Sequence, residues 1–426
     1  MAVARSTGRA GWAIGALPWL LAAQLQFAAA RVLFRLSAPL GVAATVGLCA
    51  ITVIGCWYLL RTRDEPVPPP AWSQRAGPVI VAGFLAAVLV GALVVYPFVD
   101  GRRADGSGAD VDDAVLVLLD GLRGGAEDPY AVDTYLGNPP ASGPGALVWF
   151  FPFGTRTLYP FGIVAAVGLL FVLLRRWTGS WLEPGIAALL LAVSVPFWEA
   201  VAQGSDHLPF ACGLAATAVY FDRRRVTTVP TGAAVVAALC LGALATFRFA
   251  FLHVALLVGA ALWQQGRRRL GLVVGLGGTA VAVMLHASLV VRSSWETYAP
   301  VQQLFTKSQV DLNAAGKVVL AAALAATVVA LLIALRRPGG PPVATVLLIG
   351  IGGPMNGIAL AGLTTARAPA QWSAGGYVVD CLVLAAVVAA AAVARAFAPR
   401  WPTAACQALR DEPIRTAGDA ALPQRT

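Results

Sequence analysis

The chain has 426 residues, 58% of them hydrophobic and only 12% charged, with a mean hydropathy of +0.74. A water-soluble globule carries roughly twice that share of charge and a disordered chain far less apolar content, so both are excluded. The formal charge is +10, from 31 basic and 21 acidic residues.

Long unbroken apolar runs, without the alternation of barrel strands, leave one fold class: an all-α, polytopic helical membrane protein. In a soluble protein the basic excess would point to nucleic acid. Here the arginines stand in pairs and triplets between apolar runs, where they fix topology, so membrane lipids are expected partners and nucleic acid is not. Lysine occurs only at Lys307 and Lys317. With the abundance of Ala, Gly, Val and Arg, this composition suggests a GC-rich bacterial genome.

In chain order, the apolar segments long enough to read as spans are 12–30, 38–60, 77–99, 157–174, 182–201, 206–221, 230–246, 249–264, 270–291, 316–335, 343–362 and 376–396. The count is eleven to twelve, because 12–30 is interrupted by Gln24 and Gln26 and reads equally as an interfacial helix. Three regions follow: an N-terminal membrane hairpin and cytoplasmic linker over 1–76, a transmembrane domain over 77–396 with a large loop at 100–156, and a polar, disordered cytoplasmic tail over 397–426. Arg248 splits the long apolar stretch 230–264, which therefore predicts a helical hairpin. Arg61/Arg63, Arg175/Arg176, Arg223–Arg225, Arg267–Arg269 and Arg336/Arg337 fall in alternate loops, which assigns those loops and the C-terminus to the cytoplasm. Loop 100–156 and the turns near 203, 248, 292–315 and 363–375 then face outward from a bacterial cell membrane. Five cysteines lie inside apolar runs and Cys406 in the tail, with no CxxC or Cys/His cluster.

The first outward loop differs from the rest. Residues 100–143 hold nine of the 21 acids against Arg102, Arg103 and Arg123, a balance of 3 − 9 = −6. Within it, Val111, Val115, Leu118 and Leu122 form one apolar stripe at helical spacing. The pattern predicts a surface helix with Asp110, Asp113 and Asp120 on another face, exposed toward an outer cavity. From pattern alone, Asp110, Asp112 and Asp113 read first as the capping and solvation of a helix N-terminus, where acids meet the dipole, and second as functional carboxylates. Asp110 and Asp112 diverge on a helix, so no bound metal or other cofactor is expected. Gly124-Gly-Ala-Glu-Asp-Pro-Tyr130 and Tyr135-Leu-Gly-Asn-Pro-Pro140 predict ordered turns over the outer mouth.

Three further positions carry polar groups between apolar spans. Arg248 and Arg367 read either as costly intramembrane charges that mark a functional site or as arginines snorkelling to headgroups, and His253 reads as a packed core histidine. Glu199 and Gln203 share a helix face four residues apart. With Asp206 and His207 they bracket a turn in which Ser205 or Asp206 suits the N-cap of the next helix. Trp295, Glu296, Tyr298, Lys307 and Asp311 make loop 292–315 polar. Asp380 stands near the start of the last apolar run.

The order of span, early aspartates, amphipathic helix, Gly-x-x-x-Asp-Pro-Tyr, Asn-Pro-Pro and apolar span resembles the membrane glycosyltransferases of the GT-C fold. It is most similar to polyprenyl-phosphate-mannose-dependent mannosyltransferases and their actinobacterial relatives. Gln203-Gly-Ser-Asp-His207 is similar to a short turn between two spans of that family. The likeness runs from about Val79 to Val393, and it departs where Val and Leu, in place of aromatic residues, follow the aspartates. It implies a GT-C-like fold in which one of Asp110, Asp112 and Asp113 is the base, Asp110 being favoured. Arg248, Arg367 and His253 would meet the donor phosphate, and Tyr130, Asn138, Glu199, Gln203, Asp206 and His207 the sugar or acceptor. The donor would be a polyprenyl-phosphate sugar and the acceptor an envelope glycan or glycolipid. The alternatives are a polytopic transporter or lipid flippase, and a non-catalytic GT-C-like membrane protein.

Overall fold

The computed structural model describes residues 71–100, 110–223, 231–302, 312–362 and 375–397. The predicted segments 12–30 and 38–60, together with Lys307, Asp311, Arg367 and the tail after Phe397, lie outside the described residues. Every apolar segment predicted between 77 and 396 is helical, and no strand occurs among the described residues. The protein is an all-α polytopic membrane protein. Among the described residues, four helices are long and apolar enough to cross a membrane, or five if one bent pair counts as a single span. The other apolar helices are shorter. Thr231–Ala245, with 15 residues, rises only about 22 Å against a hydrocarbon thickness of about 30 Å.

The described residues start with α1, continuous from Ala71–Val90 through a π-helical turn at Gly91–Val95 to Tyr96–Asp100. The loop helix α2 (Val111–Arg123) and the short α3 (Pro144–Phe150) follow. Next come α4 (Tyr159–Thr178), α5 (Leu182–Ala192), α6 (Val195–Ala202), α7 (His207–Arg223), α8 (Thr231–Ala245) and α9 (Val254–Gln264). The last four are α10 (Arg268–Ser293, with a π turn at Val273–Gly277), α11 (Ala314–Leu335), α12 (Val343–Gly362) and α13 (Gly375–Phe397). The hairpin predicted around Arg248 is present as α8 and α9.

The span expected over 182–201 is broken. α5 and the residues Pro196–Ala202 of α6 are bent by 79°. Pro196 has no N–H for the Ala192 carbonyl, and its ring would strike that turn. The indole Nε1 of Trp198 donates to the Ala192 oxygen instead, at 2.8 Å, so the break leaves no orphan acceptor there.

The loops sort to two ends of the bundle. At one end Arg223 pairs with Glu183, Arg267 donates to the Phe221 carbonyl, and Gln265 donates to the Pro341 carbonyl. The Asp222 carboxylate there accepts the first backbone N–H groups of α12, from Val343 and Ala344, at 2.7 and 3.0 Å. α4 and α7 run from this basic end to the opposite one, where α2, α3 and the polar turns gather. The alternation of basic loops along the sequence is thus a segregation in space. α11 leaves most of its apolar window uncovered, with Val318 and Ile333 exposed, as a lipid-facing helix requires.

Where helices pack closely they do so through glycine. Gly271 and Gly275, four apart on α10, face Gly259 on α9, and a Cβ at Gly259 would lie 2.6 Å from the Gly275 Cα. Such small-residue contacts replace the hydrophobic driving force that lipid removes. We predict that Gly259→Ile separates α9 from α10 and lowers the melting temperature in detergent by several degrees, while Gly83→Ala, where a Cβ meets open space, leaves it within about 1 °C.

Candidate functional site

A continuous polar layer occupies the end of the bundle opposite the basic loops. It begins on α2, whose apolar side is buried as the periodicity requires, with Val115 and Leu118 fully covered. Asp112 and Asp113, however, are 0% and 2% exposed, which corrects the expectation of a solvent-facing carboxylate row; only Asp120 is exposed and Asp110 half-buried. The reason is that α2 is covered from two sides. From α1, the Tyr96 hydroxyl donates to Asp112 Oδ2 at 2.7 Å. From the turn before α4, Arg156 Nη2 pairs with Asp113 Oδ1 at 2.8 Å while its own side chain stays 58% exposed. Arg123, at the C-terminal end of α2, donates to the carbonyls of Phe151 and Gly154 and so holds that turn in place.

Asp110 has a different task. It stands at the N-cap without a side-chain capping bond, and its Oδ2 accepts from Thr134 Oγ1 and Asn138 Nδ2, both at 2.8 Å. It ties the Asn-Pro-Pro turn to the start of α2. Tyr130 is held by its backbone N–H to Asp128 and by its hydroxyl, which donates to the Ser142 carbonyl at 2.9 Å.

The second half of the layer centres on Arg248. Its Nη2 pairs with Asp206 Oδ1 at 2.6 Å, its Nη1 donates to Ser142 Oγ at 3.1 Å, and Ser142 Oγ donates to Asp206 Oδ2 at 2.9 Å. The guanidinium also faces His207 Nε2, from Nε at 3.4 Å and Nη2 at 3.3 Å. Arginine only donates, so that ring nitrogen accepts, and the imidazole proton sits on Nδ1, 2.7 Å from Asp380 Oδ1. Asp380 is fully buried on α13, and its Oδ2 has no hydrogen-bond partner among the described residues. The Arg248 side chain keeps 16% exposure. Close approach of backbones makes this arrangement possible: Gly143 donates its N–H to the Phe247 carbonyl at 3.0 Å, and a Cβ there would lie 2.0 Å from the Thr246 oxygen.

Two tyrosines join the halves. Tyr96 stacks on Tyr159, with centroids 6.2 Å apart, and the Tyr159 hydroxyl donates to the Gly204 carbonyl at 3.0 Å, beside Asp206. Gly204 has φ +63, and a Cβ there would sit 2.5 Å from the Tyr96 ring. Tyr159 lies within electrostatic reach of Asp112, Asp206 and Arg248 together. On the far side Tyr130 meets Tyr298 edge-to-face at 4.9 Å, and the Tyr298 hydroxyl contacts His286 Nδ1.

Of the residues singled out in the sequence, Asp112, Asp113, Tyr130, Asp206, His207 and Arg248 enter this layer, and Asp110 and Asn138 brace its rim. Gln203 donates to Glu199 at 3.3 Å, in keeping with the shared helix face expected four residues apart. His253 donates Nε2–H to the Gly350 carbonyl at 3.0 Å, which ties α12 to the start of α9. Tyr96, Ser142, Arg156, Tyr159 and His286 carried no signal in the sequence: each is an ordinary residue in an apolar or turn segment, brought in by folding. The pairing of Asp380 with His207 spans 173 positions. No protein-family model, curated protein or solved structure matches the chain.

Two measurements probe the layer. Arg248→Ala strands a buried Asp206 carboxylate and should cost about 3–5 kcal/mol of stability; Arg248→Ala with Asp206→Asn should recover part of that loss in detergent melts. Burial and the neighbouring Tyr298 push the Tyr130 phenol well above its usual range, and burial likewise raises Tyr298. Both therefore stay neutral in the folded protein while the unfolded chain ionises. Their contribution is complete below about pH 10 and is lost as pH rises toward the raised folded values. Tyr130→Phe should flatten that alkaline decline.

Proposed function

We propose that the protein is a membrane glycosyltransferase. It moves a sugar, mannose-like by the family resemblance, from a polyprenyl-phosphate donor to an envelope glycan or glycolipid acceptor. The observation that carries this reading is the single polar layer that links the α2 carboxylates to the Arg248 cluster at one end of an apolar bundle. A lipid-borne donor reaches such a layer laterally, and its leaving group is a phosphate.

The transfer needs a base for the acceptor hydroxyl and a cation for the leaving phosphate. The acceptor oxygen forms a bond to the anomeric carbon, its proton passes to a carboxylate, and the bond from that carbon to the phosphate oxygen breaks with its electron pair. Asp113 is the base this geometry favours. Asp110 accepts from Thr134 and Asn138 and Asp112 from Tyr96, whereas Asp113 forms an ion pair with Arg156, whose guanidinium is exposed and able to move. Exchange of Arg156 from Asp113 to the donor phosphate would break that ion pair as the phosphate arrives. Arg248 supplies a positive charge fixed in place by Asp206, Ser142 and His207, with the second N–H of Nη1 left to donate. The basic loops at the opposite end favour an outward-facing site in a bacterial cell membrane.

The fully buried Asp380–His207 pair favours a second reading, because ionisable groups within apolar helices also mark transport pathways. One experiment separates the two. Membranes bearing Asp113→Asn should lose sugar transfer from a polyprenyl-phosphate donor by at least about 10²-fold at unchanged expression. Arg248→Lys, which keeps the charge and loses that N–H, should raise the donor KM. Full transfer by both variants would remove the proposed chemistry, and solute counterflow without covalent transfer would favour transport.

A further inference from the structure

The basic end of the bundle holds a buried cation that the reading above does not use. Arg267 follows Gly266 in the tight turn between α9 and α10. Arginines beside it behave as the positive-inside pattern predicts, with Arg268, Arg269, Arg336 and Arg337 exposed. Arg267 is only 9% exposed. Its Nη1 donates to the Phe221 carbonyl at 3.1 Å, and its guanidinium carbon lies 5.9 Å from the Phe221 ring centroid. Nε and Nη2 are buried and have no hydrogen-bond partner among the described residues.

Among the described residues, the acids at this end hydrogen-bond other groups, although Asp222 lies within electrostatic reach of Arg267. Both Asp222 oxygens accept the backbone N–H groups that open α12, and Glu183 pairs with Arg223. Burial pulls the Arg267 pKa below the ordinary arginine value, yet a guanidinium keeps its proton at physiological pH. A charge held in this way, with two donor nitrogens unused, calls for an anion that supplies at least two acceptor oxygens.

We propose that Arg267 is the centre of an anion site at the end of the bundle opposite the candidate transferase site, and that its ligand is the phosphodiester headgroup of an anionic phospholipid. A phosphodiester offers two oxygens at the spacing of the guanidinium fork. The surroundings identify a lipid as the source. Trp263 is exposed with Arg268 lying 5.7 Å from its ring, and Leu272, one turn into α10, is exposed as well. An indole, an apolar side chain and exposed arginines beside a buried one are the dress of a helix end at headgroup level. The loop bearing Arg336 and Arg337 is drawn against the same turn by Gln265, which donates to the Pro341 carbonyl at 2.7 Å. The site is independent of the reading given to the opposite end.

The test uses the full chain purified in a neutral detergent and followed by native mass spectrometry and thermal melting. Phosphatidylglycerol should be retained at a concentration at least tenfold below that needed for phosphatidylcholine, and should raise the melting temperature where phosphatidylcholine does not. Arg267→Gln should weaken phosphatidylglycerol retention at least tenfold, and Arg267→Lys less. Equal retention of the two lipids, or unchanged retention by Arg267→Gln, overturns the proposal. Displacement of the lipid by inorganic phosphate at comparable concentration would also overturn it and identify a soluble phosphate ligand. If Arg267→Gln does not fold, the wild-type melts decide: a rise with phosphatidylglycerol alone supports the site, and an equal rise with both lipids sinks it.

Discussion

The pairing of Arg248 with Asp206 is the constraint on which the polar end of this protein depends. Both groups sit where an apolar bundle excludes water, so neither is tolerable without the other. Each remaining donor of the guanidinium then draws in another part of the chain: Ser142 from the large loop, 106 positions away, and His207, which in turn engages Asp380. A loop of turns and a short helix is thereby fixed onto the ends of α7, α8 and α13 by charge-assisted hydrogen bonds, which keep their strength in a low dielectric.

The aromatic residues spread this constraint sideways. Tyr96 and Tyr159 connect Asp112 on the loop helix to the Gly204 turn beside Asp206, and Tyr130 and Tyr298 connect Ser142 to His286 on α10. Tyrosine suits the task because its ring packs as an apolar body while its hydroxyl satisfies a buried polar group. Glycines at 143 and 204 remove side chains where two backbones, or a backbone and a ring, must meet.

The two ends of the bundle handle charge in opposite ways. At the site end, carboxylates and guanidiniums from different loops neutralise one another. At the basic end most arginines are exposed, and the acids near them hold a helix N-terminus or a single arginine. Arg267 is the exception, buried among groups that leave part of its fork unused. The contrast follows from burial: exposed arginines are solvated and need no partner, whereas buried ones must find an anion in the protein or outside it.

The sequence by itself determined the class of the protein, since composition and long apolar runs admit only a helical membrane bundle. It also determined the α8–α9 hairpin around Arg248, the amphipathic helix after Asp110 and the pairing of Glu199 with Gln203, all of which depend on local spacing. Only the tertiary structure decided which carboxylates are buried. Periodicity places Asp112 and Asp113 on a helix but does not know that Tyr96 and Arg156 will cover them. Nor could local reasoning see that Pro196 breaks a span whose hydropathy is continuous, because hydropathy averages over a missing N–H. The union of Ser142, Asp206, His207, Arg248 and Asp380 was beyond the sequence for the same reason: one sequence records each residue's chemistry, while proximity across 173 positions is a property of packing.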